Sequence, residues 1–349
     1  MKQVRFEKNK LIAEGKVIRE FDLSIRGIEC YDRIIVVLLA QSIKAPCNVY
    51  GVDYDGKIIW QICEYKSIRG VDDKVPPFDG LRKNDDKTVW VTDYYTVEWS
   101  YRKTALLLDI YTGKVIKVVK VKDNELMVED RVIKTYDYRI REIECYDRVI
   151  VVLLDDYIVP FNENVFGVDY EGKILWQIPK DAFIQEEGTR IPYNNLGRND
   201  DKTIWVENLN VGRKGKEIYD ATALLVEAYT GKVIKTVRFK NNQLMVDNRV
   251  IKTFDYPIEE IKCYNYGRKI VVLLAWSKVP FSENVYGVDY EGITIWQIPK
   301  YKSIHSGRSP FVGLGRNDDK TVWAMNIDGG NLLLDIYTGK ELDRELVRF

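Results

Sequence analysis

The sequence predicts an all-β protein built from three copies of one unit, and three observations carry that prediction. The phrase Asn48-Val49-Tyr50-Gly51-Val52-Asp53-Tyr54-Asp55-Gly56-Lys57-Ile58-Ile59-Trp60-Gln61-Ile62 returns almost unchanged at 164–178 and 284–298. Trp60, Trp176 and Trp296 therefore stand 116 and 120 residues apart. Short apolar runs rich in β-branched residues, such as Ile34-Ile35-Val36-Val37-Leu38-Leu39 and Val149-Ile150-Val151-Val152-Leu153-Leu154, follow polar turns, which is strand chemistry. No stretch holds the 3.6-residue apolar period of an amphipathic helix.

Two further markers fix the period. Asn-Asp-Asp-Lys-Thr, followed by Val or Ile, ends at Trp90, Trp205 and Trp323; Tyr-Thr-Gly-Lys begins at Tyr111, Tyr229 and Tyr337. Self-similarity at a fixed spacing is the mark of a repeat architecture. The copies abut without a spacer, since Lys114–Val121 runs straight into Asp123-Asn124-Glu125-Leu126-Met127. The units are 4–118, 119–236 and 237–346. Val347-Arg348-Phe349 repeats the tripeptide of Val4-Arg5-Phe6 and Val237-Arg238-Phe239, and is expected to close with the N-terminal strand.

Each unit is itself doubled. Its first half reads turn (Tyr31-Asp32), strand, strand through Val52-Asp53, turn at Asp55-Gly56, strand through Trp60. Its second half reads turn (Asp85-Asp86), strand with Trp90, strand ending Leu108-Asp109, turn at Thr112-Gly113, strand to Val118. Glycine at these turns admits the positive φ of tight hairpins. An extra hairpin joins the units, as at Gln243–Phe254. A half-unit of about four strands cannot cover both faces of its own sheet, so neighbours must do so. Six such half-units suit a six-bladed β-propeller built from three tandem two-blade units. Three tandem β-sandwich or roll domains are the alternative.

The phrase Val52-Asp53-Tyr54-Asp55-Gly56-Lys57-Ile58-Ile59-Trp60, with Leu108-Asp109-Ile110-Tyr111-Thr112-Gly113-Lys114, resembles the outer-strand signature of quinoprotein-type (WD/PQQ-like) β-propeller repeats. The unit is also similar to small uncharacterised bacterial β-proteins about one unit long. The resemblance implies a bladed fold. It brings no cofactor with it, because the ion-binding and quinone-stacking residues of an enzymatic quinoprotein are not located in this sequence.

Composition narrows the function. Lys and Arg number 53 against 53 Asp and Glu, a balance that removes the basic footprint duplex DNA or an anionic membrane calls for. Neither nucleic acid nor membrane is expected as a partner, and the apolar runs are far shorter than the roughly 20 residues of a spanning helix. A single histidine excludes HExxH and three-His metal chemistry. No apolar segment follows Met1–Phe6, so no secretory signal is expected. The five cysteines then read as reduced thiols of a cytoplasmic, monomeric protein. Cys30, Cys145 and Cys263 recur at one repeat position, as small buried apolar residues do.

Among candidate chemical groups, Asp53, Asp169 and Asp289 recur before one turn, and Asp109 and Asp335 before another. They either bind cations or act as acid and base, or accept backbone N–H bonds and fix the turns. Recurrence favours turns. The recurring tryptophans read as core, and the Asp85-Asp86-Lys87 type of cluster as hairpin tips. No catalytic residue, metal site or cofactor is assigned.

The copies differ in three loop sets: 63–80 with 179–195 and 299–313; 92–104 with 207–222 and 324–330; 41–47 with 156–163 and 276–283. Loops on a rigid scaffold are where binding concentrates. Segment 92–104 carries Tyr94, Tyr95, Trp99, Tyr101 and Arg102, Trp276 opens another variable loop, and His305 and Arg308 lie in a third. Tyr, Trp and Arg are the residues enriched at interface anchors. The other reading of 92–104 is an extended hairpin with its aromatics packed on one face. The expected function is a non-enzymatic scaffold that binds a protein partner through these loops. Glycan or small-ligand binding at a channel mouth, with or without hydrolysis, and a bacterial immunity or antitoxin role are the alternatives.

Overall fold

The structure, a computed structural model, describes residues 3–40, 47–62, 78–97, 100–155, 164–178, 193–210, 220–264, 268–280, 282–300, 309–316 and 320–346. Among these residues every regular element is a strand, and the strands form seven antiparallel sheets in chain order. The all-β prediction holds. The first sheet has three strands, β1 (Val4–Glu7), β2 (Lys10–Ala13) and β3 (Lys16–Glu20). The second is a four-stranded meander, β4 (Ile25–Cys30), β5 (Ile34–Leu39), β6 (Val49–Asp53) and β7 (Ile58–Ile62).

The third has six strands, β8 (Gly80–Lys83), β9 (Thr88–Val97), β10 (Ser100–Asp109), β11 (Val115–Lys122), β12 (Glu125–Val128) and β13 (Arg131–Thr135). The fourth is β14 (Ile140–Cys145), β15 (Ile150–Leu154), β16 (Val165–Val168) and β17 (Ile174–Gln177). The fifth repeats the six-stranded form with β18 (Asn195–Arg198), β19 (Thr203–Asn210), β20 (Asp220–Glu227), β21 (Val233–Lys240), β22 (Gln243–Val246) and β23 (Arg249–Thr253). The sixth is β24 (Ile258–Tyr264), β25 (Lys269–Leu274), β26 (Val285–Asp289) and β27 (Thr294–Gln297); the seventh is β28 (Phe311–Arg316), β29 (Thr321–Asn326), β30 (Gly330–Asp335) and β31 (Glu341–Leu346).

Six of the seven sheets thus contain an up-and-down meander of four strands, the form of a propeller blade. The extra hairpins of the sequence are β12–β13 and β22–β23, which extend the third and fifth sheets outward. Strand β1 pairs with β2 as β21 pairs with β22: Val4 faces Ala13 and Phe6 faces Leu11, as Val237 faces Val246 and Phe239 faces Leu244. Tight turns at these hairpins demand positive φ, and Glu129 and Asp130 between β12 and β13 take it, at 49° and 61°, as the central pair of a type I′ turn does.

The chain divides into two compact units, residues 1–155 with 168–175, and residues 156–167 with 176–349. In the first, β5 is buried on both faces. Ile35, Val37 and Leu39 enter a core with Leu11 and Phe21 of the first sheet's segment. Ile34, Val36 and Leu38 enter another with Val89, Val91 and Leu106 of the third sheet. In the second unit β25 divides in the same way: Ile270, Val272 and Leu274 face Trp205 and Leu225, while Val271 and Leu273 face Phe311 and Leu334. A strand covered on both sides is apolar throughout instead of alternating, which explains the unbroken runs at 34–39 and 270–274. Within each unit, then, consecutive sheets stack face to face and share cores, unlike isolated sandwiches.

One contact recurs at the sheet junctions. The Trp60 indole N–H of β7 donates to the Ile110 carbonyl of the third sheet at 2.7 Å, and Trp176 and Trp296 make the same bond at 2.8 Å to Ala228 and Ile336. Glycine makes room for each ring. Gly51 is the cross-strand partner of Trp60, and a Cβ there would lie 2.2 Å from the indole. Gly113, in the β10–β11 turn at φ +68°, would place a Cβ 2.7 Å from the other side of the ring. The core reading of these tryptophans is correct. One sequence expectation fails: Cys47 is disulfide-bonded, whereas Cys30, Cys145 and Cys263 form no disulfide. No helix among the described residues is long and apolar enough to cross a membrane.

Replacing Gly51 by alanine forces a methyl into the Trp60 ring, an overpacking defect of about 1–3 kcal/mol or more. Each kcal/mol lowers the melting temperature by roughly 2–4 °C in a domain of this size. Gly27→Ala, whose Cβ meets nothing within 4 Å, should melt with the wild type in the same calorimetric scan.

Candidate functional site

The frame that carries the variable segments is built from buried asparagines. Asn48, just before β6, bonds through Nδ2 to the Phe78 carbonyl at 2.6 Å and accepts the Phe78 N–H through Oδ1 at 3.1 Å. Asn164 does the same with Tyr193, and Asn284 with Phe311. Phe78, Tyr193 and Phe311 are the residues at which the chain re-enters the frame after the first loop set. The stretches between Ile62 and Phe78, Ile178 and Tyr193, and Ile298 and Phe311 hold 15, 14 and 12 residues of unlike sequence. An amide that satisfies one N–H and one C=O fixes both position and direction of the re-entering strand. The same clamp therefore holds three different loops.

The second loop set is governed by hairpin length. β9 and β10 pair over ten positions, from Thr88 opposite Asp109 to Val97 opposite Ser100. Among the described residues the corresponding β19–β20 ladder shows eight pairs, and β29–β30 five. Most of 92–104 is therefore strand, as the alternation of Tyr95, Val97, Trp99 and Tyr101 allowed. In register, Tyr94 stands opposite Lys103, Tyr95 opposite Arg102, and Tyr101 opposite Thr96. Trp99, between the two strands, lies outside the described residues, as do His305 and Arg308. Beyond the middle of the hairpin Lys103 ties it to the next sheet, its Nζ donating to the Ile143 carbonyl of β14 at 2.7 Å.

Trp276 belongs to the second compact unit. It opens the turn after β25, is 38% exposed, and its backbone N–H donates to Glu259 Oε2 at 3.2 Å. Burial raises the Glu259 carboxyl above the usual range, against the pull of that N–H, and the Glu260 charge adds to the rise.

The recurring carboxylates are turn formers. Asp53 Oδ1 accepts the N–H groups of Asp55 and Lys57; Asp169 and Asp289 repeat that pattern. Asp109 Oδ1 accepts the Tyr111 and Thr112 N–H groups and the Thr112 hydroxyl, as Asp335 does with Tyr337 and Thr338. Among the described residues no group of three or more His, Cys, Asp or Glu could hold a metal ion.

One polar cluster escaped sequence reasoning. In the second unit Lys262 of β24, 6% exposed at its side chain, places Nζ 3.3 Å from Glu207 Oε2 of β19 and 3.2 Å from Glu260 Oε1. The Glu207 side chain is 1% exposed and accepts Asn195 Nδ2 at 2.7 Å. Glu260 accepts the Leu314 N–H of β28 at 2.8 Å, so the cluster touches three sheets. Burial lifts the Glu260 carboxyl above its ordinary value, with Lys262 and the Leu314 N–H opposing and the Glu207 charge adding to the lift. The signal was present in the repeats: Glu29 and Glu144 precede the recurrent cysteine where Lys262 precedes Cys263.

Burial acts to raise the Asp109 carboxyl, but the Thr112 hydroxyl and the Thr112 and Tyr111 N–H groups outweigh it and hold the group below the normal range. A depressed folded-state value adds stability above the unfolded value and loses it as pH falls through the folded one. Asp109→Ala should therefore unfold at lower denaturant than wild type at pH 7, and the gap should narrow steadily in titrations below about pH 4.

No curated protein matches it. Among solved structures, the computationally designed Ika8 protein is similar at 13% identity over 93% of this chain and 87% of that one, with a TM-score of 0.44. BamB from Moraxella catarrhalis is similar at 12% identity over 92% of this chain and 84% of its own, with a TM-score of 0.41. The model of the family described as Domain of unknown function (DUF7957) matches residues 116–215 and 234–346, and no quinoprotein family is identified. The matched stretches make up more than half of the 349 residues, and the chain therefore belongs to that family.

Proposed function

We propose that the chain is a binding scaffold that presents unequal loops on a rigid repeat framework to a protein partner. The observation that carries this reading is the constancy of the frame beneath the loops. Identical asparagine clamps and tryptophan–glycine contacts recur in each copy, while the segments they hold differ in length and sequence. A structural role alone places no demand on such differences; recognition does.

The hairpin β9–β10 is the element on which the reading centres, because it pairs over ten positions and its segment 92–104 is the most aromatic of the three copies. Tyr94, Tyr95, Trp99, Tyr101 and Arg102 concentrate there the residue types that anchor interfaces. Trp276 offers a further exposed aromatic, and His305 and Arg308 belong to the third variable loop. The units 4–118, 119–236 and 237–346 are the modules of this scaffold, and the likeness of its phrases to quinoprotein-type propeller repeats fits a bladed framework without a cofactor.

The test compares wild type with Trp99→Ala/Tyr101→Ala as immobilised bait in extract of the native host. The double variant should lose at least tenfold in capture of the specific partner while its melting temperature stays within about 2 °C, a shift below 1 kcal/mol. Equal capture by both proteins sinks the reading.

A further inference from the structure

We infer that the buried charges at 207 and 262 specify which sheet packs on which, keeping near-identical repeats from assembling in the wrong order. The third and fourth sheets meet through β10 and β14, and the fifth and sixth meet at the corresponding places through β20 and β24. In sequence the two junctions are aligned by their repeats: Thr92 corresponds to Glu207, Lys103 to Ala221, Glu142 to Glu260, and Glu144 to Lys262. Their buried apolar residues match position by position (Leu107 and Leu225, Ile140 and Ile258, Ile143 and Ile261), so hydrophobic burial discriminates poorly between the right partner and the wrong one.

Their charges are opposed. At the first junction the cation comes from the third sheet: Lys103 reaches the Ile143 carbonyl of β14, beside the half-buried Glu142 and Glu144. At the second the cation comes from the sixth sheet: Lys262 reaches Glu207 of β19. Exchange the partners and both junctions fail. The sixth sheet on the third would bring Lys262 to the side of the half-buried Lys103, with Thr92 where Glu207 stands and Glu260 as the one carboxylate for two cations. The fourth sheet on the fifth would set Glu142 and Glu144 against Glu207, with Ala221 where the cation stood. Like charges brought together out of water disfavour the wrong partner strongly.

A purely stabilising role fits less well. A buried ion pair contributes little net stability over an apolar pair of the same size, because desolvation offsets the attraction. Specifying register is the best-attested use of such a pair. Exchange of equivalent elements is also the characteristic misassembly of repeat proteins.

The charge-exchanged variant Glu207→Lys/Lys262→Glu tests this. It keeps a cation and an anion facing each other at the native junction, yet gives the fifth sheet the cation of the third and the sixth sheet the glutamates of the fourth. After unfolding in guanidinium and dilution, it should give at least threefold more material eluting ahead of the wild-type peak on size exclusion. Its native fraction should unfold somewhat below the wild-type midpoint, because the exchange sets a carboxylate beside Glu260 and takes the acceptor from Asn195 Nδ2, a loss for which Gly51→Ala is the control. Glu207→Met/Lys262→Met, which removes the facing pair at similar volume and leaves Glu260 on the Leu314 N–H, should misassemble in the same way. Gly51→Ala separates lost stability from lost order, since it should unfold early but refold to the wild-type species in full yield. Wild-type yields from both double variants would overturn the assignment. So would failure of both to reach a native state, which would make the cluster a requirement of one junction instead of a choice between two.

Discussion

The structure depends on an indole held between two glycines. Trp60 faces Gly51 on its own sheet and Gly113 in a turn of the next, and its N–H reaches the Ile110 carbonyl. A side chain at either glycine would press on the ring, which fills the space they leave. Spacing and direction between the two sheets follow from one side chain, because a large flat ring with a single donor has one orientation that satisfies both its packing and its hydrogen bond. The same solution at Trp176 and Trp296 gives the repeats matching frames despite their differing loops.

That frame also accounts for where the carboxylates went. Asp53 and Asp109, with their counterparts, spend their lone pairs on backbone N–H groups at the hairpin turns. The turn after Asp109 is the one that brings Gly113 onto the Trp60 ring, so aspartate, glycine and tryptophan act as one device spread over two sheets. The asparagines at 48, 164 and 284 extend it to the loop stems.

Much of this was legible because it repeats. A glycine, a tryptophan and an aspartate that return at fixed positions in unlike surroundings are answering a packing or turn requirement, and the sequence shows that directly. Strand against loop was harder at 92–104, where alternating aromatics fit a binding loop and a lengthened hairpin equally; cross-strand pairing, absent from any linear reading, decides for the hairpin. Cys47 was misread because thiol chemistry was argued from a general rule about compartments, whereas bonding is a matter of which chains run side by side. The Glu207–Lys262–Glu260 cluster was hidden for a related reason: Glu207 lies 55 positions before Lys262, and the linear pattern marks only the change from glutamate to lysine before the third recurrent cysteine.

The non-repeating residues then acquire a meaning of their own. A repeat protein gains stability by making every junction alike, and the gain carries ambiguity with it, since each sheet accepts several partners. Apolar contacts cannot remove that ambiguity without changing shape, and the tryptophan frame leaves shape little room to change. Charge can differ between junctions at constant shape. Thr92 against Glu207, Lys103 against Ala221 and Glu144 against Lys262 are differences of that kind. Their burial makes each matter more than it would in water, because a low-dielectric surrounding magnifies both the attraction of the correct pair and the repulsion of the wrong one. The identity of each junction is thus written in a few polar side chains at the edge of an interior that is otherwise the same throughout.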